Sequence, residues 1–218
     1  MKRQNFMHYN MALVGGIFGG FAVCNLGEIF GNAQTLNLMG IVRSLIYCEP
    51  GVFLLRFIAA LLYFLGFTLA AVLPKFLKSK TELISFGIDA AAFLTLLLMP
   101  ESIPPYISLY PIFFATAFQW TAFEYIDGYN CSTIFSSNNY RQFLTSAVQL
   151  AIDRDRSRIT KIRVFGLTLL YFHIGVALAC AGSLFLGRLS AALGIIALIP
   201  ALICKYKNVI KRRALKAR

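Results

Sequence analysis

Two short polar stretches carry the residue types that could hold a ligand inside an otherwise apolar chain: Thr35-Leu36-Asn37 and Ser137-Asn138-Asn139. Each opens a short apolar segment, LMGIVRSLI after the first and YRQFLTSAV after the second. A helix that begins inside a membrane presents unpaired backbone N–H groups and a partial positive charge, which favour an anion or a polar solute. Thr, Ser and Asn also cap such ends, and capping is the simpler explanation for any one of them. Their pairing favours a ligand site. Gly27 and Gly128 are 101 positions apart, and Thr35 and Ser137, like Asn37 and Asn139, are 102 apart. Gln119 and Trp120 precede the second stretch, where they either line a pathway or pack.

Ionisable groups among apolar neighbours are costly and face a cavity or a partner. Asp89, about eight residues into an apolar run, suits a proton- or cation-coupled group, or equally a structural polar contact near the headgroups. His173 has the side chain for proton relay, with a hydrogen-bonded packing role as the plainer alternative. Arg56 would attract an anion or snorkel to headgroups, and Glu28 and Glu124 read as interfacial.

The elements that position these residues follow from composition. Of the 218 residues 58% are hydrophobic and 14% charged, and the mean hydropathy is +0.69, values that point to an integral membrane protein. The net charge of +12 lies in short runs between apolar stretches, so it reads as orientation and anionic-lipid attraction, with no nucleic acid among the partners. The five cysteines are scattered without metal-ligand or disulfide spacing, and no HExxH, GxSxG or phosphate-loop motif occurs. The expectation is a protein that is not an enzyme, with no cofactor and no metal.

Apolar runs predict spans at about 9–31, 52–73, 81–99, from the PESIPP turn through Phe123, 164–185 and 189–204, with Pro74 ending the second. Gly15, Gly16, Gly19 and Gly20 give the first a small-residue face for close packing, and would also suit a span that bends or breaks. The segments after Asn37 and Asn138 are too short to cross and must lie in the interface or re-enter. With six spans and both termini cytoplasmic, 18 of the 21 Lys and Arg fall on one side, leaving Arg43, Arg56 and Arg188 opposite. Three spans per copy invert the second copy relative to the first. Tyr63–Gly66 (YFLG) and Tyr171–Gly175 (YFHIG) extend the match.

The chain resembles the YoaK-like small bacterial membrane proteins, which carry a domain of unknown function. Gly16, Gly27, Phe30, Thr35 and Asn37 fit the spacing of that family's first half; Gly19 and Gly20 stand for its Asp-Ala pair and Leu36 for a glycine. In the second half Phe118 and Gln119 fit and Trp120 replaces an Asn. Asp127 and Gly128 sit at the turn, and Ser137, Asn138 and Asn139 stand where the family has Thr-Gly-Thr. The resemblance implies the architecture and names no substrate.

The expected fold is therefore an all-α integral membrane protein, a single membrane domain over 1–218. It has six transmembrane helices in two inverted three-helix repeats, about 9–100 and 105–204, each with a short re-entrant or broken helix, and a basic, frayed cytoplasmic tail at 205–218. The two short segments are expected to meet near the midplane and share one polar cavity. Thr35, Asn37, Gln119, Ser137, Asn138 and Asn139 are the substrate-binding candidates, and Asp89 and His173 the coupling candidates. The expected function is a secondary permease for a small polar or anionic solute in the bacterial inner membrane, with a non-transporting scaffold or accessory subunit as the alternative. Partners would be the lipid bilayer, the solute and further copies of the chain. On a cysteine-free background, Ser79→Cys should react with an impermeant thiol reagent only from the cytoplasmic side; labelling from outside in intact cells would overturn this topology.

Overall fold

The computed structural model describes residues 3–27, 31–77 and 80–216, with side chains from 4 to 207 within those ranges. Glu28, Phe30 and Ser79 lie outside the described residues, as do the side chains of the tail beyond 207. The chain forms α1 (Arg3–Asn25), α2 (Thr35–Ile46), α3 (Pro50–Leu77), α4 (Thr81–Leu98), α5 (Pro105–Ser108), α6 (Tyr110–Ala122), α7 (Ser137–Asp153), α8 (Arg158–Leu186) and α9 (Ala191–Lys216). The strands β1 (Tyr125–Ile126) and β2 (Tyr129–Asn130) pair antiparallel. That hairpin was not expected. Asp127 and Gly128 both have positive φ, 48° and 84°, the two-residue turn that an Asp-Gly pair favours.

Four segments among the described residues are long and apolar enough to cross a membrane: Gln4–Asn25, Pro50–Leu77, Thr81–Leu98 and Arg158–Lys207. The last is 50 residues long, about 75 Å if it were one straight helix and so far longer than a hydrocarbon core of about 30 Å. A 3₁₀ turn at Gly187–Ser190 divides it, with Gly187 at φ 53°, and α9 folds back against α1 and α4. The expected fourth span differs: it is interrupted at Leu109, leaving α5 with 4 residues and α6 with 13. Pro111 lacks the N–H that would bond the carbonyl one turn back. Pro74, by contrast, does not end α3, which continues to Leu77, because a proline in the last turn removes one bond without exposing a longer stretch. The first helix starts and ends earlier than expected, and the basic tail continues α9 to Lys216 where fraying was expected.

The central helix is α1: 83% of its span is buried inside the protein, against 17% of α3. The outer helices present Leu54, Phe57, Leu61 and Phe64 on α3 and Leu170, Ile174 and Leu178 on α8, the distribution of a protein whose solvent is lipid. The polar side chains Asn5, His8 and Asn10 are instead buried on α1. Helix α1 is unbroken through its glycines, which serve packing. A Cβ at Gly16 would overlap the Phe172 carbonyl of α8, and a Cβ at Gly175 would overlap the Leu13 carbonyl of α1. Gly66 of α3 receives the Phe114 carbonyl of α6 in the same way. Helices α4 and α9 run antiparallel, with Phe93 seated on Gly194 and Glu82 paired with Lys205. Phe93 also stacks on Phe18 of α1 at 3.8 Å between ring centroids. At the start of α8, hydrogen bonds from the Ser157 hydroxyl and then from its N–H hold the Asp155 carboxyl below the usual range.

Replacing Gly16 or Gly175 by alanine should lower thermal stability in detergent by about 1–3 kcal/mol, the usual penalty for overpacking. Gly87→Ala, where a Cβ meets nothing within 4 Å, should be neutral or slightly stabilising. Equal unfolding temperatures for the three variants would refute this account of the crossing.

Candidate functional site

Two linkers of irregular backbone lead into α2 and α7, and they meet against the middle of α1. Asn32 donates through Nδ2 to the Gly15 carbonyl of α1 at 2.7 Å and to the Ile134 carbonyl of the second linker at 2.8 Å. Gln119 of α6 donates through Nε2 to the Met11 carbonyl of α1 at 2.9 Å and to Thr133 Oγ at 3.0 Å. Tyr63 of α3 donates to the Asn32 backbone carbonyl at 3.1 Å. The Thr133 carbonyl lies over Gly15, where any Cβ would overlap it. Asn32, Gln119 and Thr133 are fully buried. Met11 and Gly15 stand one helical turn apart near the middle of the α1 span, so five segments converge at the middle of that helix.

Among the described residues the accepting ends of both amides are unused: Asn32 Oδ1 and Gln119 Oε1 are buried with no hydrogen-bond partner there. Turning either amide over would not help. Each NH₂ group faces a backbone carbonyl, which can only accept, so the oxygen is forced to the other side.

The remaining candidates divide. Thr35 and Ser137 are exposed at their helix starts, and neither α2 nor α7 has a side-chain cap hydrogen bond, so the expected capping role is corrected. Asn138 accepts from Arg141 at 3.2 Å on the exposed side. Asn37 is buried; it donates to Gln34 Oε1 at 2.7 Å and to the Arg56 carbonyl at 3.0 Å, and accepts from the Tyr106 hydroxyl. Asn139, also buried, donates to the Ser132 carbonyl at 2.6 Å and accepts from the Ser132 N–H at 3.2 Å. These are two separate nests, each tying a helix to its own surroundings. The single cavity expected at the two helix starts is replaced by the meeting of the linkers. That differs from the expectation because helix α2 packs along α3 and α7 along α8.

Asp89 is fully buried on α4, with Oδ2 accepting from Ser85 at 3.3 Å and Oδ1 unpartnered. On α9, which packs along α4, the Ala197 carbonyl accepts from Asn10 Nδ2 of α1 at 2.7 Å. His173 is exposed on α8, with Nδ1 2.7 Å from the Leu169 carbonyl of its own helix. That placement corrects the relay expectation, since the ring faces outward. Trp120 packs between Phe67 and Phe135, Glu124 accepts from Asn130, and the Arg56 guanidinium lies against Gly40 and over the Tyr106 ring.

Sequence reasoning passed over Asn32 and His8. His8 is buried with neither ring nitrogen in hydrogen-bond geometry, although the Phe123 backbone is close by. Its position three residues after Asn5 on one helix face was the available signal. Asn5 donates to Asp127 at 2.6 Å and, with Asp127, Thr160 and Arg163, lines an open cleft of about 430 Å³. None of the predicted residues lines it.

The fold and the site define an all-α protein built for a membrane, with a buried polar knot at its centre. A family model described as "Protein of unknown function (DUF1275)" matches residues 7–205, and the chain belongs to that family. No curated protein and no solved structure matches it.

Asn139→Ala strips the linker of its clamp and leaves buried backbone groups of Ser132 unpaired. It should lower stability in detergent by about 2 kcal/mol or more, while Ser137→Ala and Asn138→Ala stay within about 0.5 kcal/mol of the parent. Near-equal unfolding of all three variants would remove the structural role given to Asn139.

Proposed function

We propose that the protein is a secondary permease for a small polar solute, built as two inverted repeats of three spans and one short helix, with both termini cytoplasmic in the cell membrane. The observation that carries this reading is the knot itself: two irregular linkers meet at mid-depth and leave two buried amide oxygens without partners. Irregular backbone at that depth is tolerated where it is buried in protein or lines a cavity, and paired broken segments are how many secondary transporters build a central site.

The packing supports the repeats. Helix α1 lies against α8 and α9, α6 lies against α3 and α4, and each short helix lies on the long helix that follows it. Exchanging every helix for its counterpart reproduces this scheme. The glycine crossings follow it too: Gly175 receives the Leu13 carbonyl and Gly66 the Phe114 carbonyl, and Leu13 and Phe114 are 101 positions apart, as are Gly27 and Gly128. In this scheme α5 and α6 together make the fourth span and α8 and α9 the last two.

An access route is supported by one face of α1. Asn5 lines the cleft at the helix end, His8 follows three residues on, buried beside the Phe123 backbone, and the Met11 and Gly15 carbonyls of the knot lie beyond. The unpartnered oxygens favour the polar over the anionic solute, because an amide oxygen repels an anion. Asp89, buried with one oxygen free, is the coupling candidate that remains.

Purified protein in liposomes should move a small polar solute found by thermal-shift screening. Asp89→Asn should abolish gradient-driven accumulation while counterflow exchange continues. Absence of any stabilising or transported solute, together with a stoichiometric protein partner in pull-downs, would replace the permease by the scaffold reading.

A further inference from the structure

We infer that the central knot binds a small monovalent cation, held by Asn32 Oδ1 and Gln119 Oε1. The amide and tyrosine donors of the knot are already committed: both NH₂ groups to carbonyl or hydroxyl oxygens, and the Tyr63 hydroxyl to the Asn32 carbonyl. What the two amides leave over is lone pairs. Besides the two amide oxygens, Thr133 Oγ accepts one bond from Gln119 and keeps a second lone pair for a ligand. The two amides are fixed to α1 carbonyls one turn apart, about 6 Å along the axis, and to adjacent residues of the second linker, Thr133 and Ile134. The two amide groups therefore belong to one neighbourhood.

Two neutral amide oxygens whose own N–H groups are spent disfavour an anion and select a cation or a strong hydrogen-bond donor. Among the described residues no carboxylate hydrogen-bonds to the knot, and its described side chains carry no charge of the kind by which divalent ions are held. Neutral amide and hydroxyl oxygens bind a monovalent ion weakly enough for it to leave, as conduction or coupled transport requires. This assignment rests on the permease reading for its functional sense, since it names what the central site takes. The shared chemistry covers an alkali ion and ammonium.

The test uses the full chain purified in detergent, with unfolding temperature followed as sodium, potassium or ammonium chloride replaces N-methylglucamine chloride at constant ionic strength. A ligand that binds only the folded state raises the unfolding temperature in a concentration-dependent way. The expected result is such a rise with at least one small cation, unchanged when gluconate replaces chloride. It should be lost in Gln119→Met and kept in His173→Ala, whose ring faces outward. Should Gln119→Met fail to fold, equilibrium binding of radiolabelled sodium and rubidium to the parent protein decides. The same unfolding temperature in every cation, with no saturable binding, means that a structural water fills the knot and overturns the inference. Stabilisation that follows the anion overturns it as well. Solute flux without any cation response leaves the permease reading intact and removes the cation site, whereas saturable cation binding without flux keeps the site and removes the permease.

Discussion

The structure depends on satisfying irregular backbone in a place without water. The described residues before α2 and those before α7 pass through the interior, and each unpaired peptide group there would cost several kcal/mol in a lipid setting. Buried amide side chains supply what a helix would otherwise supply for itself. Asn139 closes the second linker on itself through Ser132, and Asn32 ties the first linker to both α1 and the second. The linkers therefore cannot be moved independently of α1, and the chain has one centre.

That centre imposes close approach elsewhere. For amides to reach the carbonyls of α1, the surrounding helices must come within backbone contact of it, and helices of ordinary residues cannot. Gly15, Gly16 and Gly175 remove the side chains that would intervene. In a membrane there is little hydrophobic gain from burying one apolar helix against another, so close backbone packing of this kind is a main source of cohesion. The result inverts the pattern of a water-soluble protein: Asn5, His8 and Asn10 lie inside on α1, and large aliphatic and aromatic side chains cover α3, α8 and α9.

The two kinds of buried polar group differ in what they offer. Asn37 and Asn139 use both donor and acceptor sides in local contacts, which makes them fasteners. Asn32 and Gln119 spend only their donors on the fold and keep an acceptor each. A fastener needs no vacancy. An amide held in one orientation by carbonyls, with its oxygen aimed at nothing, is a group whose second partner comes from elsewhere.

The sequence alone determined the class, the two short helices and their starts. Hydropathy fixes which segments can lie in lipid, and a helix of 12 residues beginning at Thr35 is too short to cross whatever the rest of the chain does. The glycine face of α1 was legible as packing for the same reason, since a small-residue stripe is a local property. Gln119 was legible as a polar residue in an apolar run. Asn32 was not, because a lone Asn after a glycine is unremarkable until the second linker, about a hundred residues on, arrives beside it. His173 and Asp89 look alike in sequence, each one polar residue in a span; only packing, which turns one face of α8 outward and buries one face of α4, separates them. Likewise Asn139 reads as a ligand group until Ser132 is seen to fold back onto it. Periodicity and length are set by neighbours along the chain, whereas the partner of a buried polar atom is set by whichever segment the fold brings across from it.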